Sequence, residues 1–286
     1  MLILFKLIGA LPFWLLYPIG WILSIPTRLI YRRKVVFNNL RKAFPDKDVA
    51  EIRQIQKQFY RNFMDIVVET VKTPSISEKE FNRRVKLINA EVLEKEFQND
   101  RSVLIFASHF CNWEWVSHAI SLRTSYKLDP IYKVQANKVL DQFIYKVRTR
   151  FGGSPIPKES SVRNIIKNKG NKRAIGFVAD QRPFTNGSKV WINFLSIETA
   201  FFPGCVAMPY ITQFPCYYMK VVRVKRGFYE VEAINIGQPR FEKNDSSIIK
   251  KYASEIEKQI ENHPADWLWS HKRWKYQRSN EEELLS

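Results

Sequence analysis

His109 and Glu114 are the two residues whose types and spacing point most directly to catalysis, and they follow the apolar run at residues 102–107. That run predicts a buried strand, so both side chains are expected at a strand's carboxyl end, where α/β sheets place ligands. A histidine there can act as a general base near neutral pH. A carboxylate one helical turn further on can hydrogen-bond the other ring nitrogen and stabilise the imidazolium. The spacing alone also fits a structural histidine that caps the helix.

The nucleophile that would accompany this pair is not obvious. The sequence has no serine elbow of the G-x-S-x-G type, which favours direct attack by a hydroxyl of the substrate. Cys111 offers a rival route through a covalent acyl-thiol intermediate, provided that its neighbours lower the thiol pKa. A small buried hydrophobic residue is the more usual role of a free cysteine. Neither a metal-ligand spacing nor a Gly-rich phosphate loop appears, so we expect no metal and no cofactor.

Alternating strands and helices must position these residues. The periodicity predicts strands at residues 102–107, 127–132 and 173–179, a hairpin of residues 216–225 and 228–236, and helices at residues 47–72, 113–122, 138–150, 200–211 and 246–262. Strand–helix alternation indicates an α/β fold with a mostly parallel sheet flanked by helices. Asp180 and Gln181 then end a strand, where sheet enzymes place active-site groups.

The amino-terminal segment predicts a membrane anchor. No charged residue lies between Lys6 and Arg28, and about 20 apolar residues can span a bilayer as a helix. Three prolines interrupt the run, so a kinked span and an element lying in the membrane interface fit equally. A signal peptide or a buried core helix is the alternative, but the basic cluster follows the run instead of preceding it. We therefore expect residues 1–30 to be a retained anchor and residues 31–286 a single domain on the cytoplasmic face.

The composition narrows the function classes further. The 286 residues carry a net charge of +18 with 45% hydrophobic residues, which excludes a disordered chain and a many-span membrane protein. Such a charge favours an anionic partner, either nucleic acid, an acidic protein or an anionic membrane. A nucleic-acid binder would leave the His109–Glu114 spacing unexplained, and a non-catalytic scaffold would not need both residues. The 3 cysteines form no disulfide framework, which favours a reducing compartment.

Several motifs, in order along nearly the whole chain, resemble those of the lipid A late acyltransferases, the lauroyl/myristoyl-type enzymes of lipopolysaccharide biosynthesis. The central one is the H-x4-E motif, His109 to Glu114. The others are the Asn-Asn-Leu-Arg-Lys-Ala-Phe-Pro segment at 38–45, Tyr132-Lys133 with Asn137, Asp141, Arg148 and Gly152, Ala179-Asp180-Gln181, Phe194 with Thr199-Ala200, and the tryptophan-rich block at 264–275. Lys133 stands where the family more often has arginine.

The resemblance implies an enzyme of the bacterial inner membrane with a glycerolipid-acyltransferase-like domain. It would move an acyl chain from acyl carrier protein to a hydroxyl of a lipid A precursor, beside anionic membrane lipid and without nucleic acid. His109 and Glu114 would be the catalytic pair, and the substrate-binding candidates would be Asn112, Lys133, Arg148, Asp180, Gln181, Thr199 and Arg273. Related glycerolipid enzymes carry aspartate at the position of Glu114. Another lipid acceptor, such as a glycerolipid, an amino-acid lipid or a glycosylated phosphoinositide, is the alternative.

Overall fold

A computed structural model describes residues 2–183 and 187–285, with side chains from residue 5 onward. Within these residues the chain forms eleven α-helices and nine β-strands. The helices are α1 (Leu2–Ala10), α2 (Phe13–Ile30), α3 (Arg33–Ala43), α4 (Val49–Lys72), α5 (Glu78–Arg84), α6 (Ala90–Gln98), α7 (Glu114–Arg123), α8 (Lys138–Arg148), α9 (Ser161–Lys167), α10 (Gly204–Thr212) and α11 (Ser247–Asn262). The strands are β1 (Val85–Leu87), β2 (Val103–Ala107), β3 (Leu128–Tyr132), β4 (Ile156–Pro157), β5 (Ala174–Val178), β6 (Val190–Phe194), β7 (Ile197–Phe201), β8 (Cys216–Lys225) and β9 (Phe228–Gly237).

A mostly parallel sheet forms the centre of the fold, as the strand–helix alternation predicted. Its strand order is β1-β9-β8-β2-β5-β3-β4, and β8 and β9 are its antiparallel neighbours. All five residues of β2 are buried and apolar, because a central parallel strand is covered on both faces. Strand β2 pairs in parallel with β5 over its full length, from Val103 opposite Ala174 to Ala107 opposite Val178. The residues that follow β2 and β5 are therefore neighbours at one edge of the sheet.

A second, two-stranded unit was missed by the sequence analysis. Residues 200–211 were expected to be helical, but Ala200 and Phe201 lie in β7, which pairs antiparallel with β6, and helix α10 begins only at Gly204. The turn between these strands places Leu195 and Ser196 in the left-handed region, with φ of 53° and 59°. Tight hairpin turns usually contain glycine or asparagine, and the turn at Leu195 and Ser196 has neither.

The amino-terminal helices pack on the body of the protein. Helices α1 and α2 both contact α4, and Phe13 and Leu16 belong to the hydrophobic core. The Tyr17 hydroxyl donates to Glu69 Oε1 at 3.1 Å, and Arg226 Nη2 donates to the Tyr17 carbonyl at 2.8 Å. Other side chains of α2 are apolar and exposed, namely Trp14, Ile19, Trp21, Ile22, Leu23, Ile25, Leu29 and Ile30. Among the described residues, α2 is the one helix long and apolar enough to cross a membrane.

Candidate active site

His109 and Asp180 meet where β2 and β5 end. The His109 ring nitrogen Nδ1 lies 2.6 Å from Asp180 Oδ1, and the His109 backbone N–H donates to Asp180 Oδ2 at 2.9 Å. Two contacts between the same residues fix both the position and the orientation of the imidazole ring. The parallel pairing of β2 with β5 brings the two residues together although they are 71 positions apart.

Asp180 is held ionised by its donors. The indole N–H of Trp267 also donates to Asp180 Oδ2, at 2.7 Å. Burial raises the carboxyl pKa, but the His109 ring and these N–H donors outweigh burial and hold the pKa of Asp180 below its ordinary value. An ionised Asp180 accepts a hydrogen bond from the Nδ1–H group of His109, and in that tautomer Nε2 carries a free lone pair. Nε2 has no hydrogen-bond partner among the described residues, and the His109 side chain is 18% exposed. The ring therefore has the tautomer and the access that a general base needs.

Glu114 has a different partner from the one predicted. It is the first residue of α7 and forms a two-point ion pair with Arg148, the last residue of α8, at 2.9 Å from Nε and 2.7 Å from Nη2. The Trp113 indole donates to the same carboxylate at 3.2 Å. Burial raises the pKa of Glu114, but the Arg148 charge more than compensates and lowers it. The expected hydrogen bond from the His109 ring to Glu114 is thus corrected, because Asp180 occupies the acceptor position at Nδ1.

The carboxyl-terminal segment holds the loop between β2 and α7. The Leu268 N–H donates to the His109 carbonyl at 3.0 Å, and the Cys111 N–H donates to the Asp266 carbonyl at 2.9 Å. A β-bridge joins Phe110 to Trp267. Cys111 adopts a φ of 47°, an unusual value for a residue other than glycine. The segment around Trp267 therefore positions both Asp180 and the loop between β2 and α7.

Asn112 connects this loop to the buried side of α4. Its side-chain Nδ2 donates to Glu69 Oε2 at 2.8 Å, and Tyr229 donates to the same carboxylate. The backbone N–H groups of Asn112, Trp113 and Glu114 donate to none of the described residues. Such free N–H groups at the beginning of a helix can stabilise a negatively charged oxygen.

Two comparisons with known proteins identify the family. The family model for the bacterial lipid A biosynthesis acyltransferases matches residues 1–276. The chain is also similar to lipid A biosynthesis acyltransferase 2 of Shigella flexneri, with 23% identity over 258 residues that cover 87% of this chain and 79% of the relative. The chain belongs to the bacterial lipid A biosynthesis acyltransferases. It is an acyltransferase, as the H-x4-E motif and the other blocks predicted. Enzymes of lipid A biosynthesis act at the bacterial inner membrane, which agrees with the apolar helix α2.

Cys111 of the acyltransferase is a poor candidate for a covalent intermediate. Its side chain is completely buried, and burial raises the pKa of its thiol well above the ordinary value. Only the thiolate attacks a thioester, so this environment disfavours the rival route.

Of the predicted substrate-binding residues of the acyltransferase, Lys133 and Gln181 are accessible to solvent, whereas Thr199 and Arg148 contact other parts of the protein. Lys133 is exposed at the end of β3, and Gln181 is half-buried directly after Asp180. Thr199 is buried in β7, where its hydroxyl accepts from the Trp274 indole at 2.9 Å. Arg148 is engaged by Glu114, as described above.

Arg273 of the acyltransferase lies beneath the site and away from solvent. It is 2% exposed, donates to the Ala200 carbonyl at 2.7 Å and stacks on the Phe201 ring at 4.3 Å. Burial lowers its pKa to about 10. The expectation that Arg273 contacts the substrate is therefore corrected, since its guanidinium is buried inside the protein.

Sequence reasoning missed the partner of His109. Asp180 was predicted as a substrate-binding residue at a strand end, and its true neighbour was hidden because the strand order cannot be read from spacing. Trp267, the second residue at Asp180, belongs to the tryptophan-rich block, and nothing in the sequence connects that block to Asp180. Asn39, from the Asn-Asn-Leu-Arg-Lys-Ala-Phe-Pro segment, donates to the carbonyls of Trp269 and His271, so these two distant motifs are in direct contact.

Proposed function

We propose that this acyltransferase moves a fatty acyl chain from acyl carrier protein to a hydroxyl of a lipid A precursor, forming an acyloxyacyl group. The observation that carries the proposal is the His109–Asp180 contact at the ends of two neighbouring parallel strands. A hydroxyl is a weak nucleophile at neutral pH, so its attack on a thioester needs a base oriented in this way.

In the proposed reaction, His109 Nε2 removes the proton of the acceptor hydroxyl as its oxygen attacks the thioester carbonyl. Asp180 stabilises the imidazolium that forms, because its carboxylate lies 2.6 Å from Nδ1. The carbon–sulfur bond then breaks, and the departing thiolate takes the proton back from Nε2. The acyl chain ends as an ester on the acceptor, and His109 returns to its neutral form.

The negative charge that develops on the thioester oxygen needs donors that are already in place. The backbone N–H groups of Asn112, Trp113 and Glu114 are free for this role among the described residues. Their loop is fixed by Glu69 through Asn112 and by Arg148 through Glu114. We assign Glu114 to positioning the first turn of α7, and the transfer itself to a ternary complex without an acyl-enzyme. The burial of Cys111 supports that order of events.

The surface and the amino terminus support the choice of substrates. Acyl carrier protein and a phosphorylated glycolipid are both acidic, and the chain carries a net charge of +18. Residues 1–30 hold the enzyme on the inner membrane, and the domain of residues 31–286 faces the cytoplasm, where the donor is. The basic residues beyond α2 favour this orientation.

Mass spectrometry of lipid A from cells with and without this gene tests the function. We expect a mass difference of one acyl chain, and purified enzyme should transfer that chain from acyl carrier protein to the precursor. An unchanged lipid A, together with a change in a glycerolipid or an amino-acid lipid, would contradict the proposed acceptor and leave the chemistry of the site intact.

A further inference from the structure

A basic cleft lies beside the active site and has no role in the reaction described above. Its volume is about 1050 Å³, and its walls come from α4, the end of α2 and the loop after α11. The basic residues that line it are Arg28, Lys47, Arg53, Lys57, Arg61 and Arg223, and the acidic ones are Glu51, Glu261 and Asp266.

Some of these charges are already neutralised inside the protein. Lys47 pairs with Glu51 at 3.6 Å, and Arg223 pairs with Asp266 at 3.0 Å. The remaining cations are Arg28, Arg53, Lys57 and Arg61, which form no ion pair or hydrogen bond with any described residue. Glu261 is the one acidic side chain that remains to oppose them among the described lining residues. The cleft therefore has a surplus of unpaired positive charge.

The three free cations of α4 stand on one face of that helix. Arg53, Lys57 and Arg61 are each separated by four residues, a spacing that places successive side chains one above the other. Like charges at this spacing repel one another and destabilise the helix. A row of unpaired like charges is therefore an unfavourable arrangement in the protein alone, and a bound anion would relieve it.

The cleft opens next to the surface that we place in the membrane. Arg28 lies in the last turn of α2, among the exposed apolar side chains of Ile25, Leu29 and Ile30. A lipid in the bilayer would present its headgroup at this level, and its chains would run along α2. This neighbourhood favours a lipid-borne anion over a folded acidic protein, which would have to reach into a concave site at the membrane.

The cleft also leads toward His109. It shares Asn62, Ala265 and Asp266 with a narrow apolar crevice, whose other walls include Trp113 and Leu268. The Trp113 ring lies 5.0 Å from the His109 ring, and the Leu268 N–H donates to the His109 carbonyl. A headgroup in the cleft would thus be held beside the reacting centre.

We propose that this cleft binds the phosphate groups of the acceptor glycolipid through Arg53, Lys57 and Arg61, with Arg28 at the membrane edge. The proposal rests on the proposed function for its choice of lipid. Arginine suits phosphate because its planar fork donates two parallel hydrogen bonds to phosphate oxygens. The cleft then determines which acceptor is used, while His109 and Asp180 carry out the transfer.

The test compares the wild type with the triple variant R53E/K57E/R61E on the phosphorylated acceptor and on the same glycolipid after removal of its phosphates. We expect the KM for the phosphorylated acceptor to rise about ten- to hundredfold in the variant, as for loss of several charged hydrogen bonds. The KM for the donor and the rate at saturation should stay near their wild-type values. The preference of the wild type for the phosphorylated acceptor should disappear in the variant.

The matched control is K86E/K95E/K243E, which changes the net charge equally at exposed lysines that do not line the cleft. If charge reversal unfolds α4, the milder variant R53Q/K57Q/R61Q replaces it in the same assays, because it removes the three positive charges without adding negative ones. A higher KM for acyl carrier protein with an unchanged acceptor KM would overturn the proposal in favour of a donor docking site. Equal use of both acceptors by the wild type would overturn it as well.

Vesicle binding separates the cleft from the bulk membrane and from the reaction. Neutral phosphatidylcholine vesicles would carry either the phosphorylated glycolipid or phosphatidylglycerol at the same total charge. Selective loss of binding to the glycolipid vesicles in R53E/K57E/R61E supports the site, even if the wild type transfers no acyl chain and the proposed function fails. Equal loss of binding to both kinds of vesicle would show a general membrane contact and would overturn the proposal.

Discussion

Asp180→Asn distinguishes the site seen in the structure from the one predicted by spacing. An asparagine has the same shape as Asp180. Its Oδ1 can replace Asp180 Oδ2, which accepts from the His109 backbone N–H at 2.9 Å and from the Trp267 indole N–H at 2.7 Å. Its amide NH₂ then faces His109 Nδ1, where the structure has an acceptor oxygen at 2.6 Å. The amide can only donate there, so Nδ1 must accept and the ring proton must move to Nε2. A ring protonated on Nε2 cannot take the proton of the acceptor hydroxyl.

The expected fall in kcat follows from the loss of the general base. Removal of a general base costs about 10²–10⁴-fold in rate, and the wrong tautomer of a catalytic histidine has a similar cost. We therefore expect kcat of Asp180→Asn to fall by about 10²–10⁴-fold, which corresponds to roughly 3–5 kcal/mol of transition-state stabilisation. His109→Ala should lose about as much, and the double variant scarcely more, because the two residues act as a unit.

Glu114→Gln is the matched control for Asp180→Asn. It removes one charge of the buried pair with Arg148, so it should lower stability, but it leaves the His109–Asp180 contact intact. We expect its kcat to fall by about tenfold or less, a loss of ~1.4 kcal/mol. Transfer from labelled acyl carrier protein would be measured for all variants in detergent, with thermal melting to monitor folding. A Glu114→Gln enzyme as inactive as His109→Ala, beside an Asp180→Asn enzyme near the wild type, would refute the assignment of Asp180.

Three further outcomes are expected. Cys111→Ala should keep most of the activity in the same transfer assay, and an acyl group that survives unfolding and is absent from Cys111→Ser would contradict direct transfer. Burial lowers the pKa of His118 to about 4 from 6.5, so the stability of the wild type should fall as the pH falls from about 6.5 to about 4, by roughly 3 kcal/mol at most. His118→Phe should flatten that dependence in pH-resolved melting, and an unchanged slope would show that another group titrates. Tyr17→Phe should cost ~0.5–1.5 kcal/mol of unfolding free energy with near-normal kcat, whereas Glu69→Leu should cost several times more and lower kcat, since it leaves buried donors without an acceptor.

The family, the parallel sheet and the position of His109 were predictable from the sequence. The apolar run at residues 102–107 became β2, and the hairpin of residues 216–225 and 228–236 became β8 and β9. These features depend on local patterns, a continuous buried strand and a turn at Arg226-Gly227, which one segment of sequence contains in full.

The partner of His109 could not be predicted in the same way. Glu114 was favoured because it lies one helical turn away, and local spacing says nothing about which strand lies beside β2. Asp180 follows β5, and its distance to the ring depends on the order of strands in the sheet. Arg148 was predicted as a substrate contact, but in the structure it pairs with Glu114. A nearly buried carboxylate requires an opposite charge beside it. The substrate contacts themselves therefore stay predictions for Lys133 and Gln181.

The network around Glu69 links α2 to the loop between β2 and α7. Its carboxylate is fully buried and accepts from Tyr17 of α2, from Asn112 of the loop and from Tyr229 of β9. A buried carboxylate with these donors has one favourable arrangement, because each lost donor leaves the charge less compensated. Burial raises the pKa of Glu69, and the Arg223 charge together with the hydrogen bonds from Asn112 and Tyr229 acts against that shift. The position of α2 and the position of the backbone N–H groups near Asn112 are thus set by the same side chain. Residues 13–30 are therefore part of the structure that orders the active site, in addition to their proposed role in the membrane.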